Sequence, residues 1–221
     1  MDDTSTIARI RAACAEDDQP ALRAIEEEVD AWQAARDTRL RHPAALAAAA
    51  HWYAENGHPV FPCAPGAKHP RIGSAHPDTD PLRGVCKGEC GRPGHGFHDA
   101  TLDPDQITEW WTRWPHANIG LAAGINFDVL DVDGPDGYAS LAAVEAEHGP
   151  FPHIAYAVTP RGGAHLYMRP TGRSIATGML PGLDWRGGAP DRTPAGYVLA
   201  APSMSAANGR RYTWTVPLPP A

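Results

Sequence analysis

Seven short apolar runs, at 119–122, 127–132, 154–159, 165–169, 182–185, 197–200 and 211–215, fill the second half of this 221-residue chain. Runs of that length bounded by Gly, Pro, Asn or Asp have the period and punctuation of β-strands. One stretch of helical pattern, 137–147, interrupts them. Helices first and strands later imply an α+β fold with a mostly antiparallel sheet, one face of which can present side chains to a cleft. The chain has no internal repeat.

The first half reads differently. Ile7, Ile10 and Ala13, then Leu22, Ile25, Val29 and Trp32, recur at helical spacing, which predicts two or three helices before His42-Pro43 breaks the run. Pro43 then opens a helix that Asn56-Gly57 ends. Residues 59–63 (PVFPC) are a short strand. Residues 64–98 lose hydrophobic pattern and gain Gly, Pro, His and Cys, and a segment of more than about 15 residues without pattern usually carries a function or an organising ion. Asp103-Pro104-Asp105 caps a following helix, in which Trp110 and Trp111 read as core residues. The Pro-rich end, 216–221, reads as a linker or tail. No run approaches the roughly 18 consecutive apolar residues of a membrane span, and the start MDDTSTIARI lacks the order of a signal peptide, so a cytoplasmic location with no membrane partner is expected.

A net charge of −7 argues against a protein that coats polyanions, but the total conceals a gradient. Residues 151–221 hold seven Arg against two Asp, while the segment before them is strongly acidic. Acids that hold cations beside guanidiniums that hold phosphate oxygens are what a metal–phosphate site needs.

The chemistry concentrates in three places. In the run ending Asp131-Val132-Asp133, residues two apart on a strand share a face, so Asp131 and Asp133 can point together at hard cations such as Mg²⁺ or Mn²⁺, with Asp128 facing away. Capping of the next helix by these acids is the competing reading. In Thr159-Pro160-Arg161-Gly162-Gly163-Ala164-His165, a glycine turn feeds a strand, and either the turn is only a hairpin or its backbone N–H groups and Arg161 approach a phosphate. Leu183-Asp184-Trp185-Arg186-Gly187-Gly188 sets a lone Asp at a strand end beside an Arg.

Cysteine spacing gives a fourth feature. Cys86, Cys90, His95 and His98 have the pattern C-x3-C-x4-H-x2-H, which can wrap a tetrahedral Zn²⁺ within one irregular loop, with His76 an alternative fourth ligand and Cys63 a strand residue. A structural Zn²⁺ would supply the cross-link that a segment so poor in apolar residues lacks. Two reduced thiols in a flexible insertion are the alternative. Lys68, Arg71, Arg83, Lys87 and Arg92 surround this segment, as either a solvated surface or a set of phosphate contacts.

In order along the chain, PVFPCAPGAKHP, HDATLDPDQITEWWTRWPHANIGLAAG, DVLDVDGPDGYASL, TPRGGAHLYMR and LDWRGG through GYVLAAPS together resemble the primase-polymerase domain of bifunctional DNA primase/polymerases, in the archaeo-eukaryotic primase superfamily. The resemblance covers roughly residues 43–215 and implies a primase-like catalytic core, with 64–98 as a zinc-binding insertion and 1–42 as an N-terminal helical appendage. It implies template-directed nucleotidyl transfer by two cations in plasmid, phage or mobile-element replication. Asp131 and Asp133 match its first metal-binding motif, His165 its nucleotide-binding motif and Asp184 its third, metal-binding motif. Lys68 and Arg186 sit in matching blocks as phosphate contacts. Implied partners are a single-stranded DNA template, a primer strand, nucleoside triphosphates and a fused or separate helicase. No GxxxxGK[ST] occurs, so the chain carries no helicase motor of its own. Where much of the superfamily has Ser-x-His, this chain has Gly163-Ala164-His165, and Arg161 stands where relatives often have Ser. Rival readings of the same acids are another metal-dependent nucleotidyltransferase or nuclease, or a non-catalytic zinc-bearing DNA-binding module.

Overall fold

The computed structural model describes residues 43–221 and, before them, residues 9, 12, 13, 18–25, 27 and 28. Contacts divide the chain into two units, 1–45 and 46–221. In the first, residues 19–25 are helical, the Asp18 carboxylate caps them by accepting from the Ala21 N–H at 3.0 Å, and Ile25 is buried. The expected positions Ile7, Ile10, Val29 and Trp32, with Cys14, lie outside the described residues.

The second unit begins within α1 (Pro43–Glu55), which ends where the sequence says it should: Gly57 adopts φ +83°, and the N–H groups of Gly57 and His58 close on the carbonyls of Ala54 and Tyr53. Strand β1 (Val60–Cys63) follows, then the long irregular segment, which closes with a 3₁₀ turn at Gly96–Asp99. Helix α2 (Pro104–Arg113) has Pro at its first turn, the Asp103 side chain accepting from the Asp105 N–H, and a single buried stripe of Ile107, Trp110 and Trp111. Then come β2 (Asn118–Ala123), β3 (Asp128–Val132), α3 (Gly134–His148), β4 (Ala155–Val158), β5 (Ala164–Met168), β6 (Ala176–Leu180), β7 (Leu183–Arg186), β8 (Gly196–Leu199) and β9 (Thr213–Val216).

The fold is α+β, with two antiparallel sheets rather than one. The smaller orders β1-β2-β8 and the larger β6-β7-β3-β5-β4-β9, so β3 is flanked by β7 and β5. Alternation along β3 separates two cores. Val129 belongs to the main core with Ile119, Leu121, Val198, Tyr167 and the α1 and α2 side chains, whereas Leu130 and Val132 join Leu141 of α3 with Leu166, Leu183 and Trp185. Strand β6 escapes the sequence pattern because it is an edge strand exposed along nearly its whole length, with Gly178 at φ +61° and a register shift between Ala176 and Leu180.

Residues 216–221 do not trail away as a linker. Leu218 is buried, the Pro219 carbonyl lies 2.8 Å from His58 Nε2, and the Ala221 N–H donates to the Asn56 carbonyl. Three prolines, Pro217, Pro219 and Pro220, keep the conformational entropy that this segment loses on docking small, and Leu218 gains a place in the main core. No described helix is long and apolar enough to cross a membrane.

Candidate active site

Antiparallel register builds the centre of the site. Asp131 of β3 lies directly opposite His165 of β5 on one side and Asp184 of β7 on the other. Directly opposed residues share a face. The three side chains therefore form one row across the sheet, on the side that also carries Val129 and Tyr167 of the main core. His165 Nε2 stands 3.4 Å from Asp131 Oδ1, and both residues are buried. The Arg186 guanidinium spans the neighbouring pair, 2.7 Å from Asp184 Oδ2 and 3.9 Å from Asp131 Oδ2. The other Asp184 oxygen accepts from the Gly178 N–H at 2.7 Å, a donor presented by the irregularity of β6. Burial works against a charge on Asp131, but the hydrogen bond and charge of His165, backed by Lys68 and Arg186, hold its carboxyl below the usual carboxylate range.

Asp133 occupies the cap position of α3, yet its side chain makes no cap hydrogen bond. Its carboxylate is left to the cleft. That cleft, about 730 Å³, is lined by Asp131, Asp133, Lys68, Arg161, Ser205 and Tyr212 among others, and a second cavity of about 230 Å³ adjoins it across Lys68, Asp131, Leu199 and Tyr212, with His165, Arg186, Phe97 and Tyr197 in its wall. Asn118 fixes the rim: its Nδ2 donates to the carbonyls of Ala67 and Met204, and its Oδ1 accepts from the Met204 N–H, so one buried amide ties the Lys68 loop to the 204 loop.

Not every expected residue reaches this space. The N–H groups of Gly162 and Gly163 are spent inside the turn, on the carbonyl and hydroxyl of Thr159, so they are not free for a phosphate. Gly163 is required for another reason: a Cβ there would stand 2.2 Å from the Val132 carbonyl oxygen. Of that trio only Arg161 lines the cleft. Asp128 does face away, buried, accepting from the Thr171 N–H and hydroxyl at 2.7 and 2.6 Å.

Tyr212 is the main residue that sequence reading missed. It lines both cavities, and its ring centroid is 5.5 Å from that of His165. Burial first, then the fields of Asp131 and Asp133, push its phenol above the usual value. A tyrosine in a strand read as ordinary offered no signal.

The irregular segment gathers a second set of ligands. The ligand atoms of His76, Cys86, Cys90 and His95 all lie within 4.8 Å of one another, the one such group of three or more His, Cys, Asp or Glu among the described residues. His98, four-ligand candidate by spacing, is outside that group, and His76 stands in its place. The 3₁₀ turn at Gly96–Asp99 explains this, because it carries His98 round to stack on Phe97 at 4.3 Å. The donor set fits a tetrahedral ion, whose ligands would be about 3.3–3.8 Å apart. His76 Nε2 is buried without a partner while its Nδ1 sits 2.8 Å from Asp80 Oδ2, the carboxylate–histidine arrangement that orients a metal ligand. The Arg92 backbone N–H, with smaller contributions from the Arg92, Cys86 and His76 side chains, draws the Cys90 thiol down to about 6. Cys63, by contrast, is buried in β1, and burial pushes its thiol up to about 12.

Comparison with curated proteins finds no match. The family model for the N-terminal domain of bifunctional DNA primase/polymerases matches residues 50–221, a span that includes the whole row of site residues and the Cys/His loop. Nucleotidyl transfer of the DNA primase/polymerase type is thus assigned at the level of the family, with metal dependence and with DNA and nucleotides as substrates. The chain belongs to the Prim-Pol family of bifunctional DNA primase/polymerases.

Proposed function

We propose that this chain extends primer strands on a single-stranded DNA template by two-cation nucleotidyl transfer at the Asp131–Asp133–Asp184 site. The observation that carries this reading is the row His165–Asp131–Asp184, set by strand register, at the edge of a cleft into which Asp133 also turns. Asp131 and Asp133 hold Mg²⁺ or Mn²⁺, both oxygen-seeking, and Asp184 completes the ligand set beside them. Cations held there would lower the pKa of the primer 3′-hydroxyl and balance charge on the departing pyrophosphate.

The protein's own groups do the rest. Lys68 and Arg161, both in the lining of the cleft, offer cationic contacts to the triphosphate. His165, held at Asp131, contacts the bound nucleotide, and Arg186 orients Asp184 while balancing its charge before cations enter. Charge balance by Arg186 matters because three nearby carboxylates would otherwise raise one another's pKa. His76, Cys86, Cys90 and His95 hold a structural Zn²⁺. By the resemblance to bifunctional relatives, the setting is plasmid, phage or mobile-element replication beside a helicase.

Primer extension tests the reading. On a primed single-stranded template with deoxynucleotides and Mg²⁺ or Mn²⁺, the wild type elongates the primer, and Asp131→Asn or Asp133→Asn lowers the rate by about 100-fold or more. Near-normal extension by both variants, or degradation of the primer in place of elongation, would overturn it.

A further inference from the structure

A third groove, about 520 Å³, lies between the metal-binding loop and the turn after β7, and neither the acids of the cleft nor the Cys/His set uses it. Its walls include Lys87, Glu89, Phe97, His98, Asp191 and Arg192. Phe97 also lines the smaller cavity beside Asp131 and His165, so the groove and that cavity meet at one side chain. An aromatic series runs along this path: His98 stacks on Phe97 with ring centroids 4.3 Å apart, and Phe97 faces Tyr197, which lines the same smaller cavity, at 5.6 Å.

The charges are sorted. Glu89 accepts from the Lys87 N–H at 2.6 Å and Asp191 from the Thr193 N–H at 3.0 Å, so both acids are turned to backbone. Arg192 donates to the Ile125 carbonyl, and neither Lys87 nor Arg192 takes part in a salt bridge among the described residues. Among the described residues Arg192 is also the non-glycine residue with positive φ, +66°, an unfavourable backbone at a position in the groove wall. His98 is not drawn into the metal set, and its ring stays in the wall of the groove.

We propose that this groove holds the unpaired template nucleotide next to the one being copied, its base stacked on His98 and Phe97 and its phosphates met by Lys87 and Arg192. Flat π-faces with the unpaired charges of Lys87 and Arg192 beside them, next to the cavity that holds Asp131 and His165, match the chemistry of single-stranded DNA. The volume lies within the roughly 300–1,000 Å³ of small-molecule sites, enough for a nucleotide. This proposal rests on the polymerase reading of the cleft and deepens it.

The test uses the full chain and two primed templates: one ending at the templating base, the other continuing for several unpaired nucleotides. Arg192→Gly removes the guanidinium while suiting the left-handed backbone, and His98→Ala removes the stacking ring. Each variant should bind the overhanging template about tenfold more weakly than wild type by fluorescence anisotropy, bind the template without overhang equally, and keep the wild-type zinc content. Arg192→Gly should also flatten the salt dependence of binding to the overhang by about one phosphate contact. Equal loss on both templates, or no loss on either, overturns the groove assignment. Because binding is read separately from elongation, a wild type that binds overhangs but does not extend primers would sink the polymerase reading and leave this measurement intact.

Discussion

In the Cys/His loop, four ligand residues drawn from the stretch 76–95 converge to within 4.8 Å, with little apolar side chain beneath them. In the cleft, Asp131 and Asp184 come from strands far apart in sequence, and both faces of the sheet that carries them are packed. The contrast follows from what an ion would have to do at each place. A loop without a core would gain its order from an ion held by these four residues, which is why they have to lie close together. A sheet with two cores is ordered without an ion, so its carboxylates can be spread along a cleft and balanced by Arg186, and on the proposed reading cations would arrive there with a substrate.

The sharpest way to break this contrast is to remove a loop ligand. Cys90→Ser should drop bound zinc from about one ion per chain to near none and expose 70–98 to proteolysis, since structural zinc in small peptides is worth about 10–16 kcal/mol, while the β-sheets stay protected. Hydrogen exchange resolves the two regions; collapse of the sheets as well would show that the loop is part of the core. The opposite behaviour is expected in the cleft. Asp131→Asn, which should abolish extension, ought to lower the melting temperature by only about 2–4 °C, as about 1 kcal/mol does in a domain of this size. A much larger drop in a calorimetric scan would make Asp131 a structural residue.

Asn118→Ala probes the scaffold between these extremes. It leaves the Ala67 and Met204 backbone groups without their amide partner and should cost about 1–3 kcal/mol in denaturant unfolding. Loosening the Lys68 loop should raise KM for nucleotide more than it lowers kcat. The smallest effect is expected from acid. Burial lowers the His58 pKa below its ordinary value, with the Pro219 contact only partly opposing it. The folded state therefore favours the neutral ring: its contribution is intact above the unfolded value of about 6.5 and is lost as pH falls towards the folded pKa. His58→Gln should flatten that part of the stability–pH curve, read from unfolding midpoints between pH 7 and 5.

Local chemistry was legible early. Strand alternation put Asp131 and Asp133 together and turned Asp128 away, and the Pro43 and Asn56-Gly57 signals bounded α1 within a residue. Elements whose pattern is set by neighbours in space were not legible. Strand β6 carries no apolar alternation because it is an exposed edge, and the 216–221 tail looked like a linker because proline content says nothing about the buried Leu218.

By itself, then, the sequence determined which residues could do chemistry and which of them share a strand or a loop, because periodicity and spacing act over a few residues. Only the tertiary structure decided the register that sets His165 and Asp184 on either side of Asp131, the use of the Gly162 and Gly163 N–H groups within their own turn, and the placing of His76 rather than His98 beside the cysteines. Each of those depends on which strand or turn packs against which, and a one-residue slip in pairing would reverse every face without altering the local pattern.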